Sequence, residues 1–269
     1  MDKTPVLFYQ AGTCSLGAVI SLLWLDQPFR LCRLEDGDNT NEDYLKLNAL
    51  GEVPTLFLDG TVLTENVAIL QHIGLKDLRR RITFEPGTEA FDQLQRALGF
   101  LSSDFHKSFM ALFNGEVFHP DKKIQDEIKK MVIQGHLREV MDHAEVHLLR
   151  TPLMFDQPTV PDAYLYAMAR WTADLYNLPK EFPHLVRFQK TMEKDPSVQL
   201  ALKIESGEVI DATGSFKGHV DFKNFTKKAA LRKAELDHLS WESDLKRAGV
   251  HAAVPNQKMP YLERPQELR

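Results

Sequence analysis

Cys14 is the residue best placed to do chemistry in this sequence. It follows the apolar run Val6-Leu7-Phe8-Tyr9 and the turn Gln10-Ala11-Gly12-Thr13, and it opens a helical pattern carried by Leu16, Val19, Ile20, Leu22 and Leu23. A thiol at a helix N-terminus meets unpaired N–H groups and the positive end of the helix dipole, and both favour the thiolate. A buried, inert cysteine would fit the same pattern. Ser15 or Thr13 offers a hydroxyl to cap the helix. Cys32 falls mid-strand and reads as structural. Without a Cys-x-x-Cys, a dithiol oxidoreductase is disfavoured.

Two further stretches carry polar groups that suit a peptide ligand. In Val53-Pro54-Thr55-Leu56, a cis bond before Pro54 would turn the Val53 backbone outward, free to pair with an extended peptide. Thr64-Glu65-Asn66 opens another helix, and its N-terminal N–H groups and polar side chains suit a carboxylate. His106-Lys107 lies well along a later helix, where both side chains could face a cleft between domains. His136, His143 and His147 share one helix face but lack the accompanying carboxylate of a metalloprotease, so no metal site is expected. The sequence has neither a phosphate-binding glycine loop nor a Gly-x-Ser-x-Gly.

These residues need elements to hold them. Pro5 to Tyr9 reads as a strand, the segment after Cys14 as a helix, and Phe29 to Leu34 as a second strand, which makes a βαβ unit. Asp43 to Leu47 reads as one helical turn. Thr55 to Leu58 and Val62 to Thr64 form a hairpin around Asp59-Gly60, and a helix follows. The expected fold is α+β: a thioredoxin-like βαβ-α-ββα domain over 1–76, a linker over 77–87 and an all-helical domain over 88–206. An extension, partly helical, occupies 207–269. In the helical domain the apolar spacing predicts one helix from Thr88 to about Phe113 and another from Lys122 to about Leu149. Thr159-Val160-Pro161-Asp162 reads as a capping box opening a central, buried helix. The extension shows a helical pattern from Phe225 to Ala248 and reads as packed on the helical bundle or on a partner subunit.

Composition narrows the class. The 269 residues are 43% hydrophobic and 26% charged, with a formal net charge of −5. That balance fits an ordinary globular protein and argues against a general nucleic-acid binder. The sequence contains no apolar run long enough to predict a membrane span. The first residues lead straight into a strand, so no signal peptide is expected. Two cysteines are too few for a disulfide scaffold, and a cytoplasmic setting is the expectation.

Taken in order, five segments resemble the glutathione transferases, and more narrowly their bacterial beta class. They are Leu7 to Leu16 around Cys14, Val53-Pro54-Thr55-Leu56, Thr64 to Ile69, His106-Lys107-Ser108-Phe109, and Thr159 to Tyr164. The resemblance spans about residues 5–205. It implies glutathione as co-substrate, no metal, a small hydrophobic electrophile as second substrate, and a homodimer. It implies catalytic roles for Cys14, Ser15 and His106. Val53, Pro54, Glu65, Asn66 and Lys107 would bind glutathione and line its cleft. Conjugation, or thiol exchange through Cys14, is the expected activity. An interaction protein with little catalysis and a glutathione-dependent dehalogenase or isomerase stand as alternatives. Glu52 departs from the family pattern, as does the extension.

Overall fold

The structure is a computed structural model that describes residues 4–209 and 211–236. Its first part is built from Val6–Tyr9 (β1), Leu16–Leu25 (α1), Phe29–Arg33 (β2), Glu42–Leu47 (α2), Thr55–Leu58 (β3), Thr61–Leu63 (β4) and Asn66–Lys76 (α3). β1 pairs in parallel with β2 and antiparallel with β3, and β3 turns back into β4. This is the thioredoxin-like arrangement expected from the order of elements.

The second part is helical: Glu89–Phe100 (α4), Met110–Phe113 (α5), Gly115–Phe118 (α6), Lys122–Gln134 (α7), His136–His147 (α8), Val160–Ala169 (α9), Leu178–Glu181 (α10), Pro183–Met192 (α11) and Pro196–Ser206 (α12). All ten residues of α9 are buried, and nine of ten in α1. A helix apolar on every side needs cover on every side. α1 gets it by lying between the sheet and α9. The two backbones approach so closely that a Cβ on Gly17 would stand 3.0 Å from the Ala163 carbonyl oxygen. The capping box of α9 forms as its sequence predicts. Buried Asp162 accepts from the Thr159 N–H at 2.9 Å and the Thr159 hydroxyl at 2.6 Å. It also accepts from the Met154 N–H at 2.7 Å.

Three expectations are corrected. The helix predicted over Thr88–Phe113 is α-helical only to Phe100; Leu101–His106 widens into a π-helical turn and Lys107–Phe109 tightens into a 3₁₀ turn before α5. Side-chain bonds to the helix backbone accompany the change: Ser103 Oγ donates to the Gly99 carbonyl and Ser108 Oγ to that of Asp104. The helix predicted over Lys122–Leu149 breaks at Gly135, which lies outside helical geometry at φ −104°, ψ −104°.

The third correction concerns the extension, which packs on the sheet rather than on the bundle. Phe216–His219 (β5) adds to β2 in parallel, so the sheet runs β4-β3-β1-β2-β5. Phe222–Leu236 (α13) then lies over the sheet face opposite α1. Val6, Phe8, Cys32 and Phe57 form that face, Tyr44 of α2 packs beside them, and Phe222, Phe225, Ala229 and Ala230 cover it. The apolar face demands a cover, and the extension's aromatic residues supply one. The rest of the helix predicted to Ala248 lies outside the described residues.

Candidate active site

The Val53–Pro54 bond is cis. Its loop meets the start of α1, and Cys14 Sγ donates to the Val53 carbonyl oxygen at 3.7 Å. A cleft opens here, lined by Cys14, Glu52, Val53, Pro54, Glu65, Asn66, His106 and Tyr164, together with Asn48, Leu50 and Ser102. Residues from both parts of the chain thus share one concavity.

Each side chain is held in a particular way. Glu65 precedes α3 with φ +65°, ψ 115°, a conformation that costs a non-glycine residue about 1–3 kcal/mol. Such strain recurs where a side chain is aimed at a ligand. Asn66 donates from Nδ2 to the Cys14 carbonyl at 3.4 Å, while its Oδ1 is buried without a hydrogen-bond partner. His106 sits in the π-helical turn with Nδ1 2.9 Å from the Tyr164 hydroxyl. The ring of Trp171 lies 5.4 Å from that of His106 and 5.1 Å from those of Phe109 and Phe113. An aromatic wall therefore continues from the cleft into the helical part.

The electrostatics differ from the reading of Cys14 as a ready thiolate. α1 begins at Leu16, two residues beyond it, and Cys14 is only 4% exposed. Burial, reinforced by the Glu52 charge, pushes its thiol up to about 12. The helix end does not offset the lost hydration. Partial desolvation and then the Glu65 charge raise the Glu52 carboxyl. Burial lowers His106, which keeps its imidazole neutral near pH 7. Among the described residues the lining holds two carboxylates and neither lysine nor arginine.

Beyond the cleft, the chain matches the family described as glutathione S-transferase, N-terminal domain, over residues 11–75. It is 30% identical over 210 residues to the glutathione S-transferase GstA of Escherichia coli O157:H7, covering 74% of this chain and 98% of that protein. The chain belongs to the glutathione S-transferase family. Among solved transferases, the enzyme from Xylella fastidiosa superposes with a TM-score of 0.70 at 31% identity, covering 75% of this chain and 98% of that one. A beta-class transferase of Sphingomonas chungbukensis gives 0.66 at 30%, covering 74% and 98%. A sphingomonad transferase in complex with glutathione gives 0.67 at 29%, covering 75% and 98%.

Not every residue implied by the resemblance reaches the transferase cleft. Ser15 is fully buried and closes the preceding turn: its Oγ donates to the Gln10 carbonyl at 3.1 Å and lies 2.6 Å from Thr13 Oγ1. It neither caps α1 nor lines the cleft. Lys107 is exposed and also lies outside the lining. Conversely, Tyr164 reads in the sequence only as part of a capped helix, and nothing in its spacing marks it as the partner of His106. Asn48 and Ser102 carry no motif at all.

Proposed function

We propose that this chain is a glutathione transferase that binds the tripeptide in the Cys14 cleft and joins its sulfur to a small apolar electrophile. The observation that carries the reading is the meeting of Cys14 Sγ with the Val53 carbonyl across the cis-Pro54 loop, in one cleft with Glu65, Asn66 and His106. The backbone of Val53 pairs with the cysteinyl unit. Glu65 takes the γ-glutamyl ammonium, and the buried, unpartnered Oδ1 of Asn66 accepts an N–H beside it. Trp171 and Phe113, backed by the buried ring of Phe109, supply the apolar side of an electrophile site.

The chemistry follows from these roles. The neutral imidazole of His106 accepts the proton of the glutathione thiol. The sulfur's electron pair then forms the S–C bond, and the leaving group departs with the bonding pair. With glutathione disulfide as oxidant, a second activity is open: Cys14 loses its proton and attacks one sulfur, the S–S bond breaks, and a glutathione thiolate leaves and takes up a proton. The result is a mixed disulfide at Cys14. A homodimer and a cytoplasmic setting belong to the same reading, and sedimentation tests the first.

Calorimetry with glutathione, on the full chain and on Cys14→Ser, is the direct test. Micromolar to millimolar binding by the full chain, with turnover of a chloronitrobenzene, is expected. A folded protein that gives no heat of binding would falsify the reading.

A further inference from the structure

The extension touches the candidate site through two links. The first runs from α13 to α2: the Phe222 ring lies 6.3 Å from that of Tyr44, whose own ring is 5.4 Å from Phe8. Phe225 packs 5.8 Å from Phe8 and edge-on at 5.5 Å against Phe57. The second runs from α2 to the loop. The Tyr44 hydroxyl donates to the Glu52 carbonyl at 2.6 Å and lies 3.0 Å from Thr55 Oγ1. Asn48 Nδ2 donates to the same Glu52 carbonyl at 2.8 Å. The Glu52-Val53-Pro54 segment is thereby tied to α2 and the residue after it through the Glu52 carbonyl.

α2 needs outside support to do this. It has six residues, of which only Tyr44 and Leu47 are buried, and a helix so short is marginal without tertiary cover. α13 provides the cover, and β5 anchors the start of the extension: Phe29 N–H donates to Ser215 and Val220 N–H to Leu31, at 3.0 and 2.8 Å. The Tyr9 hydroxyl also lies 2.9 Å from His219 Nε2.

We infer that β5 and α13 are a built-in positioning element of the glutathione site, acting through Phe222 and Tyr44 on the loop that presents Val53. Neither residue touches the ligand; both are positioning residues. The inference rests on the proposed glutathione site for its affinity arm, and on the loop alone for its exchange arm.

Amide hydrogen exchange over residues 44–56 and glutathione calorimetry on the full chain test it together. Phe222→Ala should speed exchange in that segment and weaken glutathione binding, each by about tenfold, the factor an aromatic pair can carry. The KM for the electrophile should stay within about twofold, since the other wall of the cleft is untouched. Phe222→Leu, which keeps an apolar side chain against Tyr44, should recover most of both effects. Met192→Ala in α11 serves as a control: it removes a buried side chain from the helical part and should leave exchange over 44–56 unchanged. Should Phe222→Ala lose its cooperative transition, Tyr44→Phe keeps the ring and deletes only the hydroxyl's bonds to Glu52 and Thr55, and must show the same two effects. Unchanged exchange over 44–56 in a folded variant overturns the inference, as does unchanged glutathione affinity when the parent binds. If the parent binds no glutathione, the proposed function fails, and the exchange result alone decides the role of the extension.

Discussion

Glu205 of α12 accepts a hydrogen bond from the Gly12 N–H at 2.9 Å. The same carboxylate takes a two-pronged bond from Arg170, at 2.8 and 3.0 Å. Trp171 Nε1 donates to the carbonyl of that same Gly12 at 2.8 Å. The helical part therefore holds both backbone polar groups of a residue two positions before Cys14. Glu205→Ala removes the acceptor and leaves a partly buried arginine unpaired. The expected cost is about 2 kcal/mol, between the values for buried and surface pairs. A drop of about 4–8 °C in Tm would report it. Iodoacetamide should also reach Cys14 faster as the turn loosens; an unchanged labelling rate would mean that Gly12 does not position the cysteine.

Two glycines should respond in opposite ways to alanine. At Gly17 the new Cβ would stand 3.0 Å from the Ala163 oxygen and the Tyr164 Cα. Both are backbone atoms, so α1 and α9 must separate, at a cost of about 1–3 kcal/mol. At Gly99, in α4, nothing lies within 4 Å. Alanine there should stabilise by about 0.5–1 kcal/mol through helix propensity. Urea melts of the two variants check the pair, and a stable Gly17→Ala would contradict the close approach.

Cys14 should be a protonated thiol at neutral pH. With its pKa pushed up to about 12 by burial and by Glu52, the thiolate signal near 240 nm should be absent at pH 7 and should not develop at pH 9. Glu52→Gln removes the carboxylate that adds to the shift, so the Cys14 pKa should fall and alkylation at a fixed pH should quicken. It should also strengthen glutathione binding, because the cleft lining then has one negative charge fewer. Equal alkylation rates in the two proteins would exclude Glu52 as a cause.

Histidines set part of the acid sensitivity. Burial holds His72, His106 and His147 below the ordinary imidazole value. Below about pH 6.5 the unfolded chain therefore binds protons that the folded chain resists. Their contribution is fully present above pH 6.5 and is lost as pH falls toward the folded values. Asp162 works the other way: burial raises it to about 6 despite the bonds it accepts, so folding gains as pH falls through 6. His106→Gln keeps an amide for Tyr164 and removes one titrating ring. The urea midpoint of this variant should fall less steeply between pH 7.5 and 5.5 than that of the parent, and parallel slopes would show that His106 does not contribute.

Much of this was legible in the sequence because the deciding interactions are local. A strand, a turn and an apolar helix around Cys14 follow from period and turn chemistry. Thr159 and Asp162 announce their capping box because its partners stand three residues apart. The cis-proline loop and the Glu65-Asn66 helix start could be placed from short motifs, and with them one side of the cleft. Where the sequence misled, a non-local term prevailed. Position at a helix start suggests a thiolate at Cys14, whereas burial and then the Glu52 charge push its thiol pKa upward. Ser15 looks available to a ligand, but its hydroxyl is taken up by Thr13 and the Gln10 carbonyl.

The order of the main elements, the capped central helix and the segments that carry the family follow from local sequence alone. Those depend on neighbours within a few residues along the chain. Long-range packing sets the rest: Tyr164 meets His106 across 58 positions, Glu205 holds Gly12 across 193, and the extension adds a fifth strand and a covering helix to the sheet. The physical reason is the same in each case. Which buried face needs covering, and which polar group still lacks a partner, is defined only once the chain has closed on itself.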